Sequence, residues 1–474
     1  MKCSLVSALL LVTFFGFTRG ASDPPFLKLH REPLPKTTTK VRFVEQDWME
    51  QFLDHFDPAN DTKWRMRYLQ NGEFYQSGGP IFIYVGGEWD VSPIRLNEGH
   101  MYDMAKEFRG FLFYTEHRFY GASRPTPDLS VESLRFLTVD QALADLAHFI
   151  QNKTHTIPDA LNSPVFLVGA SYAGSVVTWF SHKYPQMIAG AWASSAPLEA
   201  VTDFQAYYEV AAESIKLVGG QKCIDKLQKA YEEMEKLYDS GNLTYLSQKL
   251  TTCEPLTDDR KDRMYFFART TEDIANVVQN DAPEGIDEMC KILDAEKDPL
   301  TAFANFLMHV NPSCSSSIFE SGFQSLANTQ WSPYNDANMR QWVYQLCNEV
   351  AWFQTSNSPN QPFSNFPLEY YTTVCQHLFG SDFTLARIEH SVCEHNAKFG
   401  GLKPQVKNVY STHGQLDPWR VAGAPENINA DSPTTIIPLH SHCSDLESIS
   451  DQDHPSLSAA KERIRSFIKN WGDL

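Results

Sequence analysis

Beyond its first twenty residues the chain has no cysteine before Cys223, and no later segment is apolar enough to span a membrane. The one early apolar stretch, Leu5 to Phe17, is shorter than the roughly 20 residues a transmembrane helix needs. Basic residues are few beside acidic ones, 40 Lys+Arg against 58 Asp+Glu, for a formal charge of −18 and a sequence pI near 5.3. A polyanion would be repelled over most of such a surface, which argues against nucleic acid as a partner. The cysteine spacings match no zinc pattern, so no metal site and no cofactor are expected. Internal repeats and low-complexity tracts are also missing, which excludes a repeat array.

What is present begins with MKCSLVSALLLVTFFGFTRGASDPP: Lys2, a short apolar core, then small residues at Gly20 and Ala21. This pattern reads as a cleaved secretory signal over residues 1–20, placing a soluble product in the secretory, lysosomal or extracellular space. Three N-x-[ST] acceptors, at Asn60, Asn152 and Asn242, fit that route. In an oxidising compartment Cys223, Cys253, Cys290, Cys314, Cys347, Cys375, Cys393 and Cys443 are all disulfide candidates. Seven of them fall between 223 and 393 and cannot all pair among themselves, so Cys443 is expected to bond to one of the seven.

From residue 80 short apolar runs alternate with helical patterns. PIFIYVGGE, FLFYTEHRFYG, PVFLVGAS and AGAWASSAP read as strands. TVDQALADLAHFI, with Thr138 as its N-cap, and YAGSVVTWFSHKYP read as helices. Runs buried on both faces and separated by helices predict an α/β fold around a parallel sheet. Residues 201–400 carry helix-like segments and most cysteines, without that alternation. The pattern resumes in VKNVYSTHGQLDPW and TTIIPLHSHC and closes on a helix whose Ile464, Phe467, Ile468 and Trp471 share one face. The expected organisation is a core of residues 45–200 and 401–474, interrupted by a helical, disulfide-bearing insertion over 201–400.

Ser171 lies between an apolar strand and an amphipathic helix, with Gly169 two before it and Ala173 two after. A nucleophile presented on a strained strand-to-helix turn needs small residues at both places, and a structural turn needs them too. A nucleophilic serine needs a base and an orienting acid, which in the α/β-hydrolase fold follow in the order Ser, Asp or Glu, His. Asp417 follows one strand and His442 the next; His440 and Asp445 are rivals that position alone does not remove. The oxyanion donors would be the N–H of Tyr172 and an N–H of the loop carrying Gly86 and Gly87.

VGGE, EHRFYG, GASYAGS, WASSAP, GQLDPW and HCSDL, in this order over nearly the whole mature chain, resemble the lysosomal serine peptidase family of prolyl carboxypeptidase, dipeptidyl peptidase II and thymus-specific serine protease. The resemblance implies an α/β-hydrolase core with a large inserted helical cap, Ser171 as nucleophile, Asp417 as acid and His442 as base. It selects His442 because the family's base stands directly before the same x-D-L step. Where the prolyl exopeptidases have WDYQxCTE, this chain has Trp342-Val343-Tyr344-Gln345-Leu346-Cys347-Asn348-Glu349, and Val343 supplies no carboxylate. RQWxYQ, YAGS and the His442–Cys443 pair are closer to the thymus-specific branch. A secreted or lysosomal serine peptidase is therefore expected, acting on short or unfolded peptides, with an optimum between mildly acidic and neutral pH. Proline selectivity and homodimerisation stay open. The rivals are an esterase or lipase on the same fold and a catalytically silent binding ectodomain.

Overall fold

The computed structural model describes residues 32–34, 41–331 and 339–474; the signal-like leader lies outside the described residues. Eight strands form the main sheet: β1 (Glu45–Phe52), β2 (Lys63–Asn71), β3 (Ile81–Val85), β4 (Phe111–Thr115), β5 (Val165–Ala170) and β6 (Gly190–Ser194), then β9 (Val409–Gly414) and β10 (Thr434–Ile437). Between them, β7 (Val201–Asp203) and β8 (Ala351–Phe353) make a separate parallel pair. The main sheet runs in the order β1-β2-β4-β3-β5-β6-β9-β10. Only β1 and β2 run against their neighbours; every pair from β3 and β4 onward is parallel. This order, with helices on both faces and a helical insertion between β6 and β9, is the α/β-hydrolase fold.

Period-two alternation divides the core. Ile81, Ile83 and Val85 of β3 point into the cluster continuous with the insertion, while Phe82 and Tyr84 point into a smaller cluster on the other face with Trp192, Ile464 and Ile468. Phe467 and Trp471 pack against that second cluster, so the C-terminal helix Pro455–Gly472 uses the face its spacing predicts. Each large apolar side chain so buried contributes about 1.5–3 kcal/mol. Thr138 caps helix Val139–Thr156 by accepting from the N–H of Gln141.

Two features differ from the sequence reading. β1 and β2 form an antiparallel hairpin ahead of the first expected strand. EQDWMEQF has no apolar run because β1 is an edge strand, half open to solvent, whereas KWRMRY does alternate, burying Trp64, Met66 and Tyr68. Within 201–400, whose other described elements are helices, the three-residue strands β7 and β8 are too short to leave a periodic signal.

The expected bond from Cys443 is absent. The disulfides are Cys223–Cys290, Cys253–Cys314 and Cys347–Cys375, all within the insertion, and Cys393 and Cys443 are free. The reason is geometric: Cys443 sits buried in a left-handed turn with its N–H on Ser195 Oγ and its Sγ near Ser194 O, while the paired cysteines are joined to one another within the insertion. The odd cysteine of the seven is Cys393, which is exposed. Closing loops of 67, 61 and 28 residues, the three bonds are worth roughly 3–4.5 kcal/mol each on the chain-entropy model. Peptide mapping without reduction should return these three pairs, with Cys393 alkylated in the native protein and Cys443 only after unfolding. A disulfide containing Cys443 would contradict the arrangement.

Candidate active site

β5 is buried along its whole length and ends at Ser171, where the backbone turns sharply into helix Tyr172–Lys183. Ser171 has φ 55° and ψ −129°, a conformation that costs a non-glycine residue on the order of 1–3 kcal/mol. The turn is held by Ser171 N–H on Ser194 O (2.9 Å) and Ser175 N–H on Ser171 O (3.2 Å). A Cβ on Gly169 would lie 2.2 Å from Ala173 O, and one on Gly174 would lie 2.9 Å from the Ala196 methyl. The strand and helix therefore approach too closely for any side chain at Gly169, and the second glycine of the turn stands at 174.

Ser171 is half-buried and shares a cavity of about 920 Å³ with His442, Glu88 and Arg95 from the core and Asp273 and Gln279 from the insertion. Asp417 begins the turn after β9, fully buried, with Oδ1 accepting from Trp419 N–H at 3.0 Å. Its Oδ2 meets His442 Nδ1 at 2.9 Å, so Nδ1–H donates there and leaves Nε2 unprotonated in the neutral ring. Nε2 is buried and has no protein partner. Burial disfavours the imidazolium of His442, but the adjacent Asp417 carboxylate, together with Cys443, outweighs it and holds the imidazole well above its usual value. Burial likewise acts to raise Asp417, yet His442 and the Trp419 N–H hold it below the usual carboxylate range. The nearby His413 is pushed down to about 4 by burial and stays neutral.

The rival histidine and acid are engaged elsewhere. His440 is half-buried, with Nδ1 on Pro438 O at 2.7 Å. Asp445 is buried and accepts from Trp192 Nε1, Ser194 Oγ and Thr412 Oγ1, pinning β6 to β9. The Tyr172 N–H opens the helix, where no carbonyl of the preceding turn is due to receive it. Gly86 and Gly87 follow β3, and packing alone demands both: a Cβ would lie 2.4 Å from Thr115 O at Gly86 and 2.6 Å from the Trp89 ring at Gly87.

Several residues of the site had no role in the sequence reading. The Tyr172 phenol is fully buried and sits between His117 Nε2 (3.1 Å) and Gln345 Nε2 (2.8 Å), while Tyr120 donates to Gln345 Oε1. His117 Nδ1 is 2.8 Å from Arg118 O and its pKa is pushed to about 4 by burial, so the ring donates from Nδ1 and accepts the Tyr172 proton at Nε2. EHRFYG thus carries an anchor for the residue after Ser171, and Arg118 beside it forms a two-pronged ion pair with Asp145. Gln279, on insertion helix Arg260–Asp281, accepts from His442 N–H with its main chain (3.0 Å) and from Trp419 Nε1 and Tyr207 Oη with its side chain. The loops carrying Asp417 and His442 are therefore fixed from the insertion. Val343 is buried in the apolar core. The acceptor asparagines are outlying: Asn60 and Asn152 are half-buried and Asn242 is exposed.

Among the described residues no group of three or more His, Cys, Asp or Glu side chains is arranged to hold a metal ion, and no helix is long and apolar enough to cross a membrane. Comparison with known proteins gives a consistent picture. The chain is 30% identical to the thymus-specific serine protease of Mus musculus, covering 99% of this chain and 98% of that one. The human thymus-specific serine protease is 29% identical (98% and 95% covered), and the lysosomal Pro-X carboxypeptidase of Mus musculus is 28% identical (98% and 97% covered). The family model for serine carboxypeptidase S28 matches residues 51–464, and the chain accordingly belongs to that family of serine-type peptidases.

Proposed function

We propose that this chain hydrolyses peptides in the secretory pathway through an acyl-enzyme formed on Ser171. The observation that carries the reading is the Asp417–His442 bond, which presents His442 Nε2 to the cavity shared with Ser171. Nε2 takes the Ser171 proton as Oγ attacks the scissile carbonyl, then returns it to the departing amine. Asp417 keeps Nδ1 as the donor and stabilises the imidazolium that forms. The Tyr172 N–H and an N–H of the Gly86–Gly87 loop receive the oxyanion, and the His117–Tyr172–Gln345 network keeps the first of these from reorganising during the step. Water activated by the same Nε2 then releases the acyl group.

Three disulfides in the insertion support an oxidising compartment, and the name of the Pro-X relative suggests the lysosome as one destination. Asn60, Asn152 and Asn242 are its glycan acceptors. The insertion supplies part of the cavity wall, which restricts entry to short or unfolded chains. The test is cleavage of a mixed peptide library beside a panel of acyl esters. Peptide products with a sharp size limit are the expected result, whereas turnover of esters alone would favour the esterase reading. The buried Val343 offers a proline-binding subsite no carboxylate, so Pro and non-Pro peptides in the library decide that preference.

A further inference from the structure

The cavity around Ser171 contains a piece of the chain's own N-terminal region. Glu32, Pro33 and Leu34 line it together with Ser171 and His442, although the first strand of the sheet starts only at Glu45. The Glu32 carboxyl accepts from Tyr114 Oη at 2.8 Å, and Tyr114 Oη in turn accepts from Trp89 Nε1 at 2.7 Å, so the phenol's one proton is directed at Glu32. Arg95 and the backbone of Ser92 also act on this carboxyl electrostatically.

The corner holds more donor capacity than Glu32 uses. Arg95 is 3% exposed and its Nε has no partner; its Nη1 is shared with Glu447 at 3.2 Å. The Tyr84 hydroxyl, on a ring packed edge-on to Tyr114, is buried and also lacks a partner. Elsewhere the cavity lining is acidic, with Glu88, Asp273, Asp281, Glu284 and Glu447, and Arg95 is the one Lys or Arg among the described lining residues. An acid entering the cavity therefore has a single place where donors and positive charge converge.

We propose that Tyr114 Oη and Arg95 form a carboxyl-binding subsite of the peptidase cavity, filled in this structure by the chain's own Glu32 as a tethered competitor of peptide substrates. The competition rests on Ser171 being the peptidase nucleophile; the subsite itself does not. Burial outweighs the pull of Tyr114 and Arg95 and holds the Glu32 carboxyl up to about 8, so at neutral pH the subsite holds the protonated acid, whose carbonyl oxygen still accepts from Tyr114 Oη.

The experiment uses the full chain with a site-specific protease sequence replacing residues 37–40. No cysteine lies between residues 21 and 40, so the severed segment is free to leave. Cutting should lower KM for peptides by about tenfold with kcat unchanged, because a tethered ligand acts at an effective concentration in the millimolar range. The synthetic peptide LHREPLPK, residues 29–36, should then inhibit competitively in trans, its Glu→Ala analogue should not, and Arg95→Ala should abolish the difference. Peptides bearing a carboxyl only at the C-terminus or only on a side chain identify which source the subsite accepts. Binding of labelled LHREPLPK to the cut Ser171→Ala chain, followed by fluorescence anisotropy, involves no catalysis and keeps the subsite testable if peptide hydrolysis fails. Unchanged KM after cutting, together with equal binding of the Glu and Ala peptides, would overturn the proposal.

Discussion

Ser171→Ala is expected to lower kcat by about a millionfold while leaving KM and thermal stability near their wild-type values. The hydroxyl is half-buried at the end of a turn whose hydrogen bonds are all made by backbone groups, so its removal leaves no buried donor or acceptor stranded. A fluorophosphonate probe should label the wild-type chain and not the variant. His442→Ala should lose about as much, and the double variant little more than either, because nucleophile and base act as one unit. Equal labelling of wild type and Ser171→Ala would remove the serine from the mechanism. A double variant far worse than both singles would instead separate Ser171 from His442.

Asp417→Asn carries the second large effect, a fall in kcat of about ten-thousandfold, with a change in pH dependence that a merely structural role would not produce. The sign follows from which form is active. The base works as neutral imidazole, and the Asp417 carboxylate stabilises the imidazolium enough to overcome burial and raise the His442 pKa above its ordinary 6.5. Wild-type kcat/KM is therefore present above that raised value and is lost as pH falls through it, about tenfold per unit. His413, with a pKa near 4, stays neutral across this range and adds no second step. With asparagine at 417 burial is opposed only by Cys443, and the acid limb should move to lower pH. The geometry thus favours the neutral end of the range expected from the sequence, mildly acidic to neutral. Profiles of kcat/KM against pH for both forms check this, and a limb at the same pH in wild type and Asp417→Asn would show that Asp417 does not govern His442.

Short-range signals in the sequence carried the frame. The unbroken apolar run of β5, the Thr138 cap and the single face of the last helix each depend on residues within a few positions of one another, and all three are found in the structure. The same holds for the turn at Ser171, since Gly169 meets the backbone of Ala173 only four residues on. Cysteine parity showed that one of the seven between 223 and 393 must stay out of their mutual pairing. Which one was beyond sequence, because partners 28 to 67 residues apart are chosen by how the insertion packs, leaving Cys393 exposed on it and Cys443 buried in the core. His442 and His440 are equivalent by local pattern; the return of the chain after β10 lays one beside Asp417 and engages the other with the Pro438 carbonyl. The bracket at Gln279, the Tyr172 anchor and the seat of Glu32 join residues 140, 173 and 82 positions apart. Such contacts leave no periodic trace, because a buried hydrogen bond is specified by where two surfaces meet, and only the tertiary fold decides that.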